Sequence, residues 1–318
     1  MAITITKNKI QQPILITGAS GFIGSNLLRF FISKGIKVNI ILRKKSDIWR
    51  IKDIIGKTEV FYTDLREKEN LRKVIQKIKP KSIFHLAAYG AYSHQNHVDV
   101  IKSSILEATT NLIYECKKFK FNIFINTGSN SEYGFKKNKM KENDLLTPNS
   151  HYAVFKAAAT LFCQYESIVN KLPIITVRPF HVYGPYEEPT RLVPTLIKNL
   201  LNNKDTPLVS PDIARDLIFI DDAINLYLTI ASKPNVNGDI FNIGTGKQKT
   251  IKEIYLNLSR LLDCNIRPKW NSMKRRYWDQ KIWIADMSKV KKKFNWKPKY
   301  NLSKGLTKTI SWHKEFYN

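Results

Sequence analysis

The chain has 318 residues, 43% of them hydrophobic, and a formal charge of +27 from 53 Lys and Arg against 26 Asp and Glu. That length supports one large or two modest globular cores, and no apolar run reaches the ~18 residues that cross a bilayer, so no membrane span is expected. The lysines are scattered among Ile and Asn rather than gathered in blocks, which reads as compositional bias and not as a nucleic-acid face; Cys116, Cys163 and Cys264 are odd in number, distant and without a C-x-x-C pair, which argues against disulfides or a metal site and fits a reducing cytoplasm.

In chain order, Pro13–Thr17 predicts a short buried strand and Phe22–Lys34 a helix ending at Gly35. Strands follow at Lys37–Leu42 and Glu59–Thr63, then a helix over Glu67–Lys79 stopped by Pro80. Ser82–Leu86 is a fourth strand, Val98–Phe119 a long helical region and Asn122–Thr127 a fifth strand. His151–Asn170 reads as a helix and Pro173–Val177 as a sixth strand. Strands alternating with helices mean an α/β fold with a doubly wound parallel sheet of the Rossmann type over residues 1–178. From 179 to 318 prolines punctuate a smaller, mixed substrate domain. Its expected strands are Leu217–Ile220, Ile240–Ile243 and Ile282–Ala285, some able to return to the main sheet. Its expected helices are Leu192–Leu201, Asp222–Ala231 and Ile251–Leu262.

Thr17-Gly18-Ala19-Ser20-Gly21-Phe22-Ile23-Gly24 follows a strand and opens a helix. Glycines let the backbone turn sharply and approach a pyrophosphate, and the helix N-terminus adds unpaired N–H groups. The loop therefore reads as a nicotinamide-dinucleotide site. An acid ending the second strand, about 20 positions on, would bind the ribose of NAD. Here the strand ends in Arg43, and a guanidinium suits the 2′-phosphate of NADP. NADP is thus expected ahead of NAD. Asp64, after the third strand, is placed to accept from the adenine amine or to cap the next helix.

Tyr152 and Lys156 stand at i and i+4 of a predicted helix and share a face. A free phenol, with a pKa of about 10, is a poor proton carrier at neutral pH. A neighbouring ammonium favours the phenolate, so Tyr152 can exchange a proton with a substrate oxygen while hydride moves to or from nicotinamide.

These motifs, with Asp64-Leu65, His85-Leu86-Ala87-Ala88, Tyr133-Gly134, Arg178-Pro179, Tyr183-Gly184-Pro185, Arg215-Asp216, Asp286 and Trp296-Lys297-Pro298, resemble the extended short-chain dehydrogenases/reductases that act on nucleotide sugars. The resemblance spans nearly the whole chain. It implies that Leu65, Leu86, Ala87 and Ala88 line the cofactor site and that Ser129 is the third catalytic residue, bonding the reacting sugar oxygen. Arg215 matches the family's diphosphate-gripping arginine, Arg276 a second one, and Arg191 a further nucleotide contact. His181 stands where many members have Asn, and Tyr89 follows the fourth strand toward the sugar. The family's 4,6-dehydratases carry Asp-Glu after the catalytic hydroxyl; Asn130 and Ser131 stand there and supply no proton, so dehydration is not expected. Glu132, by strand alternation, is expected to face away. The partner implied is a nucleotide-diphosphate sugar, and the family's habit of pairing through Val98–Phe119 and His151–Asn170 implies a homodimer.

The first expectation is an NADPH-dependent reductase of a nucleotide-linked 4-keto-6-deoxyhexose, with the proton from Tyr152. The alternative is a nucleotide-sugar epimerase with tightly bound NAD. A non-catalytic NADP- or RNA-binding protein is a third reading, against which the intact Ser129, Tyr152 and Lys156 argue.

Overall fold

The computed structural model describes residues 10–92, 94–233, 238–274 and 281–317. Its first elements are β1 (Ile14–Thr17), α1 (Phe22–Ser33), β2 (Val38–Leu42), β3 (Glu59–Tyr62), α2 (Lys68–Ile78), β4 (Ser82–His85), α3 (Val98–Lys102), α4 (Ala108–Cys116), β5 (Ile123–Thr127), α5 (His151–Ile168) and β6 (Ile174–Pro179). There follow β7 (His181–Tyr183), α6 (Leu192–Leu201), β8 (Ala214–Arg215), β9 (Leu217–Phe219), α7 (Ile220–Ala231), β10 (Ile240–Ile243), β11 (Lys249–Thr250), α8 (Ile251–Leu261), α9 (Ser288–Phe294) and α10 (Leu302–Tyr317).

The chain divides into two compact units. The first comprises Met1–Gly134, Leu146–Arg178 and Ile224–Phe241. Its sheet runs β10-β6-β5-β4-β1-β2-β3 and pairs in parallel from β3 across to β6. Every residue of β1, β4 and β5 is buried, as expected of strands covered on both faces, and this explains their unbroken Ile and Phe runs. Helix α2 puts Leu71, Ile75 and Ile78 on one buried stripe and its Lys and Glu residues outward. Those three join Leu15, Ile83, Leu112, Cys116, Phe124, Cys163 and Ile174 in one core. The parallel register sets Thr17 beside Ile41 and His85, and His85 beside Asn126. The loops after β1, β2, β4 and β5 therefore leave the sheet along one edge, where open α/β sheets place their ligands.

The second unit comprises Phe135–Leu145, Pro179–Ala223 and Asn242–Asn318. It holds two small sheets: β7 pairs in parallel with β9, and β8 antiparallel with β11. The buried carboxylate of Asp216 ties three segments together, accepting from Thr245 N at 2.8 Å, Gly246 N at 2.9 Å and Ala285 N at 3.0 Å.

Three expectations need adjustment. The helix over Val98–Phe119 is interrupted by a π-helical turn at Ser103–Glu107 between α3 and α4. Ile282–Ala285 is not a strand; only an isolated bridge between Met140 and Ala285 forms there. Helix α10, with Gly305, Leu306, Thr309, Ile310 and His313 buried, was not anticipated. Among the described residues, no helix is long and apolar enough to cross a membrane.

Candidate active site

The loop between β1 and α1 is shaped for an anion. Gly18 holds φ +71°, and a Cβ there would lie 2.6 Å from Ala87 N on the loop after β4. A Cβ on Gly24 would collide with the Gly18 carbonyl oxygen, so helix and loop approach at a distance only hydrogen permits. Gly21 is the N-cap of α1, supplies no capping side chain, and is followed by no acid in the first turn. The helix N-terminus with Ser20, Phe22 and Ile23 is thus available to a phosphate, and the fit to a dinucleotide pyrophosphate is good.

The other expected cofactor residues leave the same edge. Arg43 follows β2, is exposed, and its backbone closes a turn with Ser46. Asp64 follows β3 and is gripped by Arg66, whose Nε lies 2.9 Å from Oδ1 and whose second nitrogen lies 2.7 Å from Oδ2. The Arg66 guanidinium, helped by Arg43, holds this carboxyl below the usual carboxylate range. Asp64 does not cap α2, whose N-cap is Glu67. Leu65 is buried in the sheet core, while Leu86 and Ala87 are half-buried and Ala88 exposed.

The residues expected to handle protons gather around the end of β5. Lys156 is 4% exposed and its Nζ donates to the Thr127 carbonyl at 2.6 Å. Burial pushes its ammonium down to about 8, against Glu132, whose charge supports it. The same Nζ lies 5.9 Å from the centre of the Tyr152 ring. Tyr152 is half-buried, packed with Tyr89 against Ile101, Ile105 and Ala159. Ser129 caps the turn Asn130–Tyr133: its Oγ accepts from Ser131 N at 3.1 Å and lies 2.7 Å from Ser131 Oγ. A serine hydroxyl accepts two bonds and donates one; with Ser131 as the donor, the Ser129 hydrogen goes to Asn130 Oδ1 at 3.5 Å, a long contact that a substrate oxygen at ordinary distance would replace. Asn130 is buried and its Nδ2 has no partner among the described residues.

His85 sits beneath this edge, its ring nitrogens 2.6 Å from Thr17 Oγ1 and 2.9 Å from Thr109 Oγ1. Burial, with the Lys156 charge adding, pushes it down to about 3, so it is a neutral brace between β1 and α4.

The second unit contains a cavity of about 290 Å³ lined by His181, Arg191, Arg215 and Trp283 on its polar side and by Leu192, Leu208, Val209, Ile251 and Met273 on its apolar side. Such a lining suits an anion attached to a flat, partly apolar body. The Arg215 guanidinium lies 5.9 Å from the Trp283 ring centre, and Trp283 meets His181 edge-on at 6.3 Å. Two buried nitrogens, His181 Nδ1 and Trp283 Nε1, have no hydrogen-bond partner among the described residues. Burial, then Arg215 and Arg191, hold His181 well below its ordinary range, so it is a neutral group. Arg276, the second expected diphosphate arginine, lies outside the described residues.

Two residues escaped the sequence reading. Trp283 stands in the expected strand Ile282–Ala285, and no local pattern marks it as a cavity wall. Glu132 does not obey strand alternation, because β5 ends at Thr127 and Glu132 sits in the following turn. Its signature was legible: Ser129-x-x-Glu132 is a capping box, and both halves form.

Residues 14–244 match the NAD dependent epimerase/dehydratase family. The chain is 28% identical to an uncharacterized UDP-glucose epimerase of Bacillus subtilis, across 96% of this chain and 99% of that protein. It is 29% identical to the UDP-glucuronate 4-epimerase of Thermodesulfobacterium geofontis, across 95% and 96%. The crystal structure of UDP-glucuronic acid 4-epimerase from Bacillus cereus, in complex with UDP-glucuronic acid and NAD, superposes with a TM-score of 0.85 at 27% identity, covering 96% of this chain and 99% of that one.

Proposed function

This chain belongs to the NAD dependent epimerase/dehydratase family, and from that premise we propose that it is a nucleotide-sugar epimerase that inverts a ring carbon, C4 in the first instance. The observation that carries the reading is the complete Ser129, Tyr152 and Lys156 set next to Asn130 and Ser131, which offer no acid and base for eliminating water. Relatives named as 4-epimerases support it. The first unit serves the dinucleotide and the second, through its cavity, the nucleotide diphosphate.

A bound nicotinamide supplies reversible hydride exchange at the sugar carbon. Tyr152 Oη takes the proton of the sugar hydroxyl and later returns it. Ser129 Oγ holds that oxygen, and the Lys156 ammonium favours the phenolate form of Tyr152. Arg215 and Arg191 grip the diphosphate. NAD is the cofactor expected of an epimerase, since it is restored in every cycle.

The test is direct. Cofactor released by acid from the purified protein is identified, and the protein is incubated with UDP-glucose, UDP-glucuronic acid and their dTDP and CDP counterparts under proton NMR. The reading predicts the inverted sugar with no net change in nicotinamide absorbance. A 4-keto-6-deoxy product, or steady consumption of NADPH, would overturn it.

Arg43 favours a second reading, the NADPH-dependent reductase of a 4-keto-6-deoxyhexose, because it stands where an acid would select NAD. In that case Arg43→Ala raises the NADPH KM about tenfold and leaves NADH use unchanged. We also propose a homodimer. Val154, Leu161, Tyr165 and Ile168 of α5 and Tyr114 of α4 are large apolar residues exposed on the first unit. Light scattering on the eluting protein decides between one and two copies.

A further inference from the structure

Glu132 has no part in the chemistry above, yet it is fully buried beside it with both carboxylate oxygens engaged. Oε1 accepts the Ser129 amide at 2.7 Å, and Oε2 accepts Arg178 Nε at 2.8 Å, with Arg178 only 2% exposed. In return the Ser129 hydroxyl caps the turn that carries Glu132, so the two residues fix each other. A capping box needs only an acceptor at this position, and Gln serves as well as Glu. Burying a carboxylate costs far more than burying an amide. The charge at 132 therefore answers something other than the cap. Two cations lie by it: Arg178, bonded to Oε2, and Lys156, whose Nζ is held by the carbonyl of Thr127, next to Gly128, over which Oε1 sits so closely that a Cβ there would collide with it.

We infer that Glu132 is a positioning residue that sets the Ser129 hydroxyl through its amide and whose carboxylate, set over Gly128 next to the Thr127 carbonyl, is the counter-charge of Lys156. The inference rests on the epimerase reading for its activity arm. The groups facing Lys156 are the Thr127 carbonyl from β5, Glu132 from the turn, Tyr152 and Cys163 from its own helix and the neutral His85 from β4. Glu132 is the carboxylate among them. The other function of its charge, neutralising Arg178, is separable. In Glu132→Gln the Ser129 amide keeps an acceptor but Arg178 loses its counter-charge. In Glu132→Gln with Arg178→Met no charge remains buried at that pair, so this double variant folds even where the single one does not.

The experiment follows the ε-carbon resonances of labelled lysines against pH in the holoenzyme, with kcat and KM against pH measured in parallel. Both variants should move the early-titrating lysine, and the basic limb of the rate, to lower pH by roughly half a unit or more. Both should lose about ten- to hundredfold in kcat while the nucleotide-sugar KM stays within about twofold. If the double variant regains the wild-type lysine titration and kcat, Glu132 serves only as the partner of Arg178 and the inference falls. If the wild-type protein turns over no nucleotide sugar, the functional reading falls instead, and the lysine titration alone decides the role of Glu132.

Discussion

Lys156 Nζ reaches the carbonyl oxygen of Thr127 at 2.6 Å, a bond from the first turns of α5 to the last residue of β5. The same carbonyl end of β5 leads directly into Ser129. The lysine is thus held by the strand that presents the serine, and helix and loop keep one spacing.

That burial gives the rate a pH signature. The Lys156 ammonium is pushed down to about 8 from an ordinary 10.5. As pH rises through about 8 the ammonium is lost, and with it the charge that favours the Tyr152 phenolate. kcat/KM should therefore fall above that pH, with an apparent value belonging to the Tyr–Lys pair. Stability moves the other way. The unfolded chain binds this proton more tightly, so the contribution of Lys156 to stability rises between about 8 and 10.5. Lys156→Met should remove that slope in urea titrations and lower the rate roughly 10²–10⁴-fold.

Tyr152→Phe should lose roughly 10²–10⁴-fold in kcat, the usual contribution of a positioned proton carrier. The ring packs against Ile101, Ile105 and Ala159, and phenylalanine keeps that packing. The melting temperature should stay unchanged by calorimetry. A variant that melts early would mean that the hydroxyl serves the fold.

Gly18→Ala puts a side chain at φ +71° against Ala87 N. The backbone strain alone is about 1–3 kcal/mol, and the β4 loop must also move. NAD affinity, measured by quenching of protein fluorescence, should fall at least about tenfold. An unchanged affinity would show that the pyrophosphate binds elsewhere.

Trp283→Phe removes a buried N–H that has no partner among the described residues. Leaving such a donor unpaired costs about 1–3 kcal/mol, so the ligand-free variant should melt no earlier than wild type. Affinity for UDP, dTDP, CDP or GDP, whichever binds the wild type, should fall about tenfold in calorimetric titration. Full retention of affinity would mean that the indole nitrogen does not meet the nucleotide.

The parts of this molecule that were legible in the sequence share a physical cause. β1, β4 and β5 are buried on both faces, so each carries a consecutive apolar run, Ile14–Ile16, Ile83–Phe84 and Ile123–Ile125, that stands out in the sequence. Tyr152 and Lys156 lie on one helix, where spacing alone puts them on one face. What stayed hidden depends on distant partners. The buried stripe of α10 includes Gly305, Thr309 and His313, so its apolar period is too weak to read. The π-helical turn at Ser103–Glu107 has no composition of its own. Trp283 became a cavity residue only once His181 and Arg215 were seen beside it, from segments far apart in the chain.

Phe135–Leu145 belongs to the second unit although it leaves the ribosome among residues of the first. Its Met140 bridges Ala285, and its carbonyl accepts from the Asn242 side chain at 2.8 Å. During synthesis Met140 therefore emerges 145 residues before Ala285, a wait of roughly 7–30 s at ordinary elongation rates. The first unit has all of its chain once Phe241 is out, whereas the Asp216 carboxylate gathers its last donor only when Ala285 appears. A nascent chain stalled between those two points would carry a finished first unit and a protease-sensitive second one.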